Sequence, residues 1–473
     1  MSDTSLQQKI EDHALESVPQ HERQNWLALS WNTAGIVTTL IQLFFGALVT
    51  FVAGFKIALL AGICVTVVGA LLGWLTGHVA YRTGLSSTVM ARRFGFGRQG
   101  SIIASLIFAF MIIGFLALEN ALLYKGLLFY LGLDDTLTHR IVIYGILTLL
   151  WILLTTYGFT LVTRVSSITL VAFLAVLAWM TYVVLAQAGA TAQGLMFGPQ
   201  LPGEALQAMG AGSDLGKFIF AVNILIGSAG ALALVDADLG RYARRSIDIG
   251  IAALIGNIAM DIVMLSLGGI IMYAGVPALV EFYVQSKGLD EAAARQMVLA
   301  SPDSVAAAFI VFGGIIGTIL MILAQGKAQV LNTYSASLSL SNLFDALGRW
   351  RPGRLWCVVL ANILGLIMLY GRLLELVNSW ITLLGVLTTC FAAIIVADYY
   401  LLGRGRHGQA ALDTDEAVNW AGVITVVVAT LLAHGPLASL FPIEFFTALV
   451  ICLVLYPALR LTVLRAPQGR AAF

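Results

Sequence analysis

Charge is what this chain has little of: Asp, Glu, Lys and Arg make up 11% of its 473 residues, against about a quarter in soluble domains. With 59% hydrophobic residues, a water-soluble fold is excluded and an integral membrane protein is expected. The net charge of +1 and the lack of any basic run give no footprint for nucleic acid. The four cysteines, Cys64, Cys357, Cys390 and Cys452, stand inside apolar segments with no CxxC spacing. They read as small core hydrophobes, which excludes a disulfide framework and a thiolate metal site. His13, His21, His78, His139, His407 and His434 form no i, i+4 pair, and no HExxH, Walker loop or nucleophile elbow is present. An enzyme is therefore not expected, nor a bound metal or cofactor. No cleavable signal peptide is expected either, because residues 1–25 are polar and the first apolar run is long enough to span and stay.

What is there is a series of long apolar runs. A spanning helix needs about 20 mainly apolar residues, which predicts about twelve spans. They fall near 27–54, 57–80, 100–124, 140–160, 165–187, 215–240, 247–275, 305–341, 354–371, 375–400, 418–435 and 439–463. Arg and Lys collect in alternate connections: Arg82, Arg92, Arg93 and Arg98; Arg241, Arg244 and Arg245; Arg349, Arg351 and Arg354; Arg404 and Arg406; Arg460, Arg465 and Arg470. The opposite side carries Glu281, Asp290, Glu291 and Asp303 and the 188–214 segment. By the positive-inside rule both termini are expected in the cytoplasm, and the protein in the cell (inner) membrane.

Two charges stand inside spans: Glu119 in SLIFAFMIIGFLALENALLYKG and Lys327 in IIGTILMILAQGKAQVLNTYSASLSLSN. Charge at membrane depth is costly, and usually faces a partner, a cavity or a transported solute. A transporter lined by these two helices follows. The first span runs through Thr38, Thr39 and Gln42, and the sixth contains Gly227-Ser228-Ala229-Gly230-Ala231. Interruptions five spans apart are the pattern of two inverted five-helix repeats, each opening with a broken helix at the binding site. In the sixth span, tight helix packing by small residues is the competing explanation. Asp236 and Asp238 beside Arg241, Arg244 and Arg245 suggest an interfacial ion-pair network. Arg372 and Glu375 are expected to snorkel at the outer boundary, and Asp261 to face the bundle.

Several stretches carry a resemblance. Residues 28–85 with the following AYRTGLSSTVMARRFGFGRQGS resemble bacterial cytosine permeases, as do GSAGALALVDADLGRYARR, NTYSASLSLSN and IIVADYYL. The likeness covers about residues 20–460 and identifies the chain as a member of the nucleobase:cation symporter-1, or purine–cytosine permease, family. It implies an all-α fold like that of the sodium-coupled amino-acid transporters, two inverted five-helix repeats plus two C-terminal helices. The expected parts are a tail over 1–25, repeats over 26–188 and 215–400, an external loop over 189–214, a cytoplasmic loop over 401–417, two further helices over 418–463 and a tail over 464–473. It also implies import of cytosine, another nucleobase or a related heterocycle, driven by sodium or protons.

A planar heterocycle needs an aromatic face and edge donors and acceptors. Relatives carry a Gly-Trp pair in the third span, which here reads Gly114-Phe115, and the aromatic near the break in the sixth span is replaced around Ala229 and Gly230. Phe218 and Phe220 lie a turn or more earlier. Phe115 keeps a stacking face without an indole N–H, and a core aromatic is the bland alternative. Gln42 is expected at the break in span one. Gln329 and Asn332, three apart, share a helix face, with Gln325 one turn before. Glu119 follows Phe115 by four residues, so carboxylate and ring share a face suited to an amidine-like edge. A buried structural pair with Lys327 is the alternative for Glu119.

Where sodium-coupled relatives place two hydroxyl residues in span eight, this chain has Lys327 and Ala328. An ammonium offers donors and no acceptor and repels a cation. Sodium-independent, proton-coupled transport by alternating access is therefore expected, with Glu119 and Lys327 as coupling residues; Thr38 and Thr39 are the remaining oxygen donors for sodium. The expected partners are a small-molecule substrate and the lipid bilayer, with no obligate protein partner. Alternatives are a carrier of an allantoin- or hydantoin-like ureide, a hydroxymethylpyrimidine or a cationic amine, or a membrane sensor that binds without transporting.

Overall fold

Backbone that meets lipid must satisfy its N–H and C=O groups within its own segment, so long apolar runs fold as helices. The structure, a computed structural model, describes residues 17–465 except 158, 188, 190–193, 301–303, 351, 372 and 404–415. Arg351, Arg372, Arg404, Arg406, Arg470, Asp303, His13 and His407 lie outside the described residues.

The first half holds α1 (Trp26–Val37), α2 (Leu40–Ala53), α3 (Phe55–Thr83), α4 (Ser87–Arg93), α5 (Ser101–Leu131), α6 (Leu137–Tyr157), α7 (Phe159–Gln187) and α8 (Gly203–Ala208). There follow α9 (Asp214–Gly240), α10 (Ser246–Ile258), a π-helical turn Ala259–Met264, α11 (Leu265–Lys287), α12 (Glu291–Ala300) and α13 (Ser304–Gly348). The last are α14 (Arg354–Tyr370), α15 (Val377–Val396, continuing as π-helix to Leu401), α16 (Trp420–His434) and α17 (Glu444–Leu461). Among the described residues nine helices are long and apolar enough to cross a membrane, ten with α1 and α2 taken as one bent span. The shorter apolar helices α14 and α16 occupy two of the remaining expected spans.

The first span is broken, with 66° between α1 and α2. Thr38 turns its hydroxyl back onto the Ala34 carbonyl (2.8 Å) and leaves the helical region at ψ 74°. Thr39 is extended (φ −132°, ψ 167°) as the N-cap of α2, without a side-chain cap. β-Branched residues that bond their own turn weaken helix continuation, and two in a row end it here. The break thus lies at Thr38–Thr39, and Gln42 is the third residue of α2.

The sixth span is not broken: α9 runs as one helix from Asp214 to Gly240. Its small residues serve close packing. A Cβ at Gly227 would overlap the Ile381 carbonyl of α15, one at Gly230 would crowd Thr388 Oγ1, and Ala229 meets Gly69 of α3. The expected unwound backbone at Gly227–Gly230 is corrected on this point, since Gly and Ala bring α9 against α3 and α15 without leaving the helix. A sharp kink does occur in α13, at Gly314 (φ 56°, ψ −148°), a conformation only glycine adopts readily.

The expected network is formed in part: Arg241 stands beside Asp238 and donates Nε to its carbonyl (3.2 Å). Arg245 pairs with Asp248 (2.9 Å), Arg244 donates to the Arg23 carbonyl (2.8 Å), and Asp238 accepts from the Ser87 amide (2.6 Å). Asp236 joins none of them: it is fully buried and neither carboxyl oxygen has a hydrogen-bond partner.

Candidate functional site

The break between α1 and α2 leaves two helix ends pointing into the protein. The last carbonyls of α1 and the first amides of α2 have no intrahelical partner, so the α1 end is a site of negative potential and the α2 end one of positive potential. The two membrane-depth charges sit accordingly. Lys327 of α13 is 7% exposed, and its Nζ lies where a Cβ at Gly35, in the last turn of α1, would be. Glu119 of α5 is 2% exposed, with the Thr39 hydroxyl at the start of α2 and the Gln325 side chain against its carboxyl. Glu119 and Lys327 form no ion pair with each other. They bracket the break, cation at the carbonyl end and carboxyl at the amide end.

Beside the break lies a partly open cavity of about 60 Å³. Ile36 and Val37 reach it from α1, Thr39 from the break, Ile41 and Gln42 from α2; Met111, Ile112, Phe115 and Glu119 from α5; Ser228, Ala231, Leu232 and Val235 from α9; and Ala328, Leu331 and Asn332 from α13. Met260 of the π-helical turn closes it. The wall is mostly apolar with a few polar groups, the usual make-up of a small-molecule site. Two wall atoms are buried without a hydrogen-bond partner, Glu119 Oε2 and Ser228 Oγ. Glu119 is the one charged residue in this wall among the described residues.

Of the residues expected from sequence to bind substrate, the cavity brings together Gln42, Phe115, Glu119, Ser228 and Asn332, and Thr39 and Ala328, singled out in the argument on sodium, line it too. Gly227, Ala229 and Gly230 are spent on packing. Gln325 and Gln329 are turned to α5: Gln325 Nε2 donates to the Glu119 carbonyl (3.4 Å) and Gln329 Nε2 to the Leu116 carbonyl (3.1 Å). They hold α13 in register with α5, and Gln329 does not share the cavity face with Asn332. Lys327 stands behind the wall rather than in it, because its position is set by α1.

One aromatic was not foreseen. Trp380 of α15 packs edge-on to Phe115 (centroids 5.2 Å apart, 84°), and a Cβ at Gly114 would run into its ring. Its Nε1 is buried and has no hydrogen-bond partner. The signal available in sequence was a lone Trp opening the tenth span, which carried no spacing to tie it to Gly114-Phe115. Asn120, next to Glu119, accepts from Trp151 Nε1 (2.8 Å) and fixes α5 against α6.

Residues 17–455 match a family model described as permease for cytosine/purines, uracil, thiamine and allantoin. Among solved structures, the chain resembles the inward-facing conformation of Mhp1 at 19% identity and a TM-score of 0.71, covering 94% of this chain and 93% of that one. It also resembles Mhp1, a nucleobase-cation-symport-1 family transporter, closed with bromovinylhydantoin bound: 18% identity, TM-score 0.68, 96% of each chain. A Na⁺-coupled sialic acid symporter in a substrate-bound outward-open state follows at 13% identity and TM-score 0.60, over 96% of this chain and 94% of that one. At these identities the likeness is one of fold. No curated protein matches the chain.

Proposed function

From the premise that the chain belongs to the nucleobase:cation symporter-1 family, the permeases for cytosine/purines, uracil, thiamine and allantoin, we propose that it imports a small nitrogenous heterocycle of the cytosine class by alternating access, coupled to protons and not to sodium. Membership makes it a multi-pass membrane transporter of nucleobase-like small molecules; the proposal adds the edge it reads, the coupling ion, and placement in the cell (inner) membrane with cytoplasmic termini.

The observation that carries the substrate reading is the pairing of Phe115 and Glu119 on one wall of the cavity. Phe115, braced by Trp380, offers a ring face, and base–aromatic stacking is worth about 1–3 kcal/mol. Glu119 Oε2 is an acceptor without a donor. The exocyclic amine N–H of a cytosine-class ring would satisfy it, and a cationic amine would do so more strongly. This is why such amines are the second reading. Gln42 and Asn332 supply amide donors and acceptors for the remaining edge.

The coupling reading rests on Lys327 against Gly35. A protonated amine there binds the α1 carbonyl end and holds α13 to α1; a neutral one loses most of that attraction. Proton exchange at Lys327 would therefore bias the two arrangements of α1 relative to α13, which is what coupling requires. Because Glu119 and Lys327 do not pair, the coupling runs through the two ends of the broken span rather than through a direct bridge. The test is uptake of radiolabelled cytosine by reconstituted protein, with sodium and pH gradients imposed separately. Proton-driven uptake without sodium is expected. Uptake that needs sodium removes the coupling reading, and no uptake under either gradient removes cytosine. Counterflow of cytosine distinguishes a carrier from a sensor that only binds.

A further inference from the structure

Asp236 and Asp261 are fully buried, and none of their four carboxyl oxygens has a hydrogen-bond partner. Neither lines the cavity, but each follows a residue that does, Val235 and Met260. Both residues approach one face of α3, Asp236 by its carboxyl and Asp261 by its backbone carbonyl. Asp236 Oδ2 stands where a Cβ at Gly73 would go, and Asn257 Oδ1, also unpartnered, stands at Gly69. The Asp261 backbone carbonyl stands at Gly62. Positions 62, 66, 69 and 73 form one helical stripe, on which Thr66 Oγ1 donates to the Asn257 carbonyl (3.4 Å). From Gly62 to Gly73 the stripe rises about 16 Å, and no carboxyl oxygen of either residue has a hydrogen-bond partner, so the two are not a shared-proton pair.

Among the described residues, the charged neighbours are engaged elsewhere or stand at the helix ends, and Cys64 is the free thiol on α3. On α3, Lys56 and Arg82 mark its ends, and His78 Nδ1 bonds Ser246 Oγ (2.6 Å). On α9 and after it, Asp238 accepts from the Ser87 amide and Arg241 lies over the Tyr242 ring. Asp248 pairs with Arg245, and Asp398 of α15 accepts from the Gly95 amide (2.8 Å). α1 and α2, which pack on α10 and α11, carry no ionisable side chain. An ionised carboxylate with neither cation nor hydrogen-bond donor is very costly in such a place, whereas a neutral carboxylic acid keeps the geometry.

We propose that Asp236 and Asp261 are two resident proton-binding sites, distinct from Lys327 and Glu119, on the segments packed against α3 and each one residue from the cavity wall. Each holds its proton as a carboxylic acid and gives it to water, leaving a carboxylate and a hydronium ion, when the α3 face opens to solvent. This goes beyond the reading above, which needs a single exchange at Lys327.

The test is infrared absorption of the full chain in lipid at neutral pH, following the C=O stretch of protonated carboxyls in wild type, Asp236→Asn, Asp261→Asn and, as a control, Glu119→Gln. Each Asp→Asn variant is expected to lose one group's share of that band and to keep the wild-type melting temperature, since the amide matches a neutral acid in shape. On alkalinisation the double variant should release about two fewer protons per chain, counted with a pH-indicator dye. An undiminished band in both single variants overturns the proposal, and does so without any bearing on cytosine transport. Should the Asn variants fail to assemble, pH titration of the wild-type band decides: a single protonated carboxyl, or none, at neutral pH overturns it.

Discussion

Lys327 Nζ lies against Gly35 so closely that a side chain at position 35 would take its place. The ammonium therefore depends on the absence of a Cβ in the last turn of α1. Gly35→Ala should push Lys327 off the carbonyl end while leaving the cavity wall unchanged. Proton-driven uptake should fall by about tenfold or more, equivalent to about 1.4 kcal/mol, with cytosine affinity kept. Paired uptake and equilibrium-binding measurements check this split; a fall in affinity alone would contradict it.

Lys327→Ala removes the cation and leaves the α1 carbonyls without one. Gradient-driven accumulation should disappear while cytosine counterflow persists, because exchange does not require the coupling ion to move. Measuring both in the same vesicles separates loss of coupling from loss of folding. Accumulation at the wild-type level would end the role given to this lysine.

Glu119→Gln keeps the shape of the side chain and converts an acceptor-only group into one with a donor. A hydrogen bond to a charged group is worth about 1.5–3 kcal/mol, so cytosine binding should weaken about 10- to 150-fold. Uracil, which presents a carbonyl where cytosine presents its amine, should be affected less. Competition binding with the two bases reads the difference directly.

Phe115→Ala should weaken binding of any planar base through lost stacking, by about 1–3 kcal/mol, and should also loosen Trp380, whose edge rests on the ring. Phe115→Trp restores a face and should recover most of the affinity. Calorimetry on the two variants gives the comparison.

Outside the spans, Asp135 is held by Arg140 (2.7 and 2.9 Å) and accepts from Tyr124 (2.7 Å), with Lys125 nearby. Hydrogen bonding to Arg140 is the main cause that lowers its pKa to about 2. A lowered folded-state value means that the stabilisation is complete above the ordinary carboxylate range and is lost as pH falls towards about 2. Asp135→Asn should flatten the acid limb of melting temperature against pH and leave the neutral value little changed, because the group is exposed and screened.

How far the sequence reached differs from residue to residue. Glu119 and Phe115 were legible because four residues on one helix share a face wherever that helix lies. Gln42 was assigned to the break and sits just past it, because Thr38 bonds its own turn and stops α1 earlier. Gln325 and Gln329 were placed at the site by spacing, but the α5 carbonyls of Glu119 and Leu116 draw their amides away. The small residues of the sixth span suited either an unwound helix or a packed one, and only Ile381 and Thr388 on the facing helix decide for packing. Trp380 meets Phe115 across more than two hundred positions, where no local pattern operates.

By itself the sequence determined the solvent this protein lives in, the approximate positions of its helices and the presence of ionisable residues at membrane depth, Glu119 and Lys327 among them. Those follow from hydrophobic run length and from the cost of burying charge, both local properties of the chain. Tertiary structure alone decided which helix end each charge serves, and that Asp236 has no cation beside it. Helix rotation and approach set those relations, and they are fixed by packing between segments far apart in sequence.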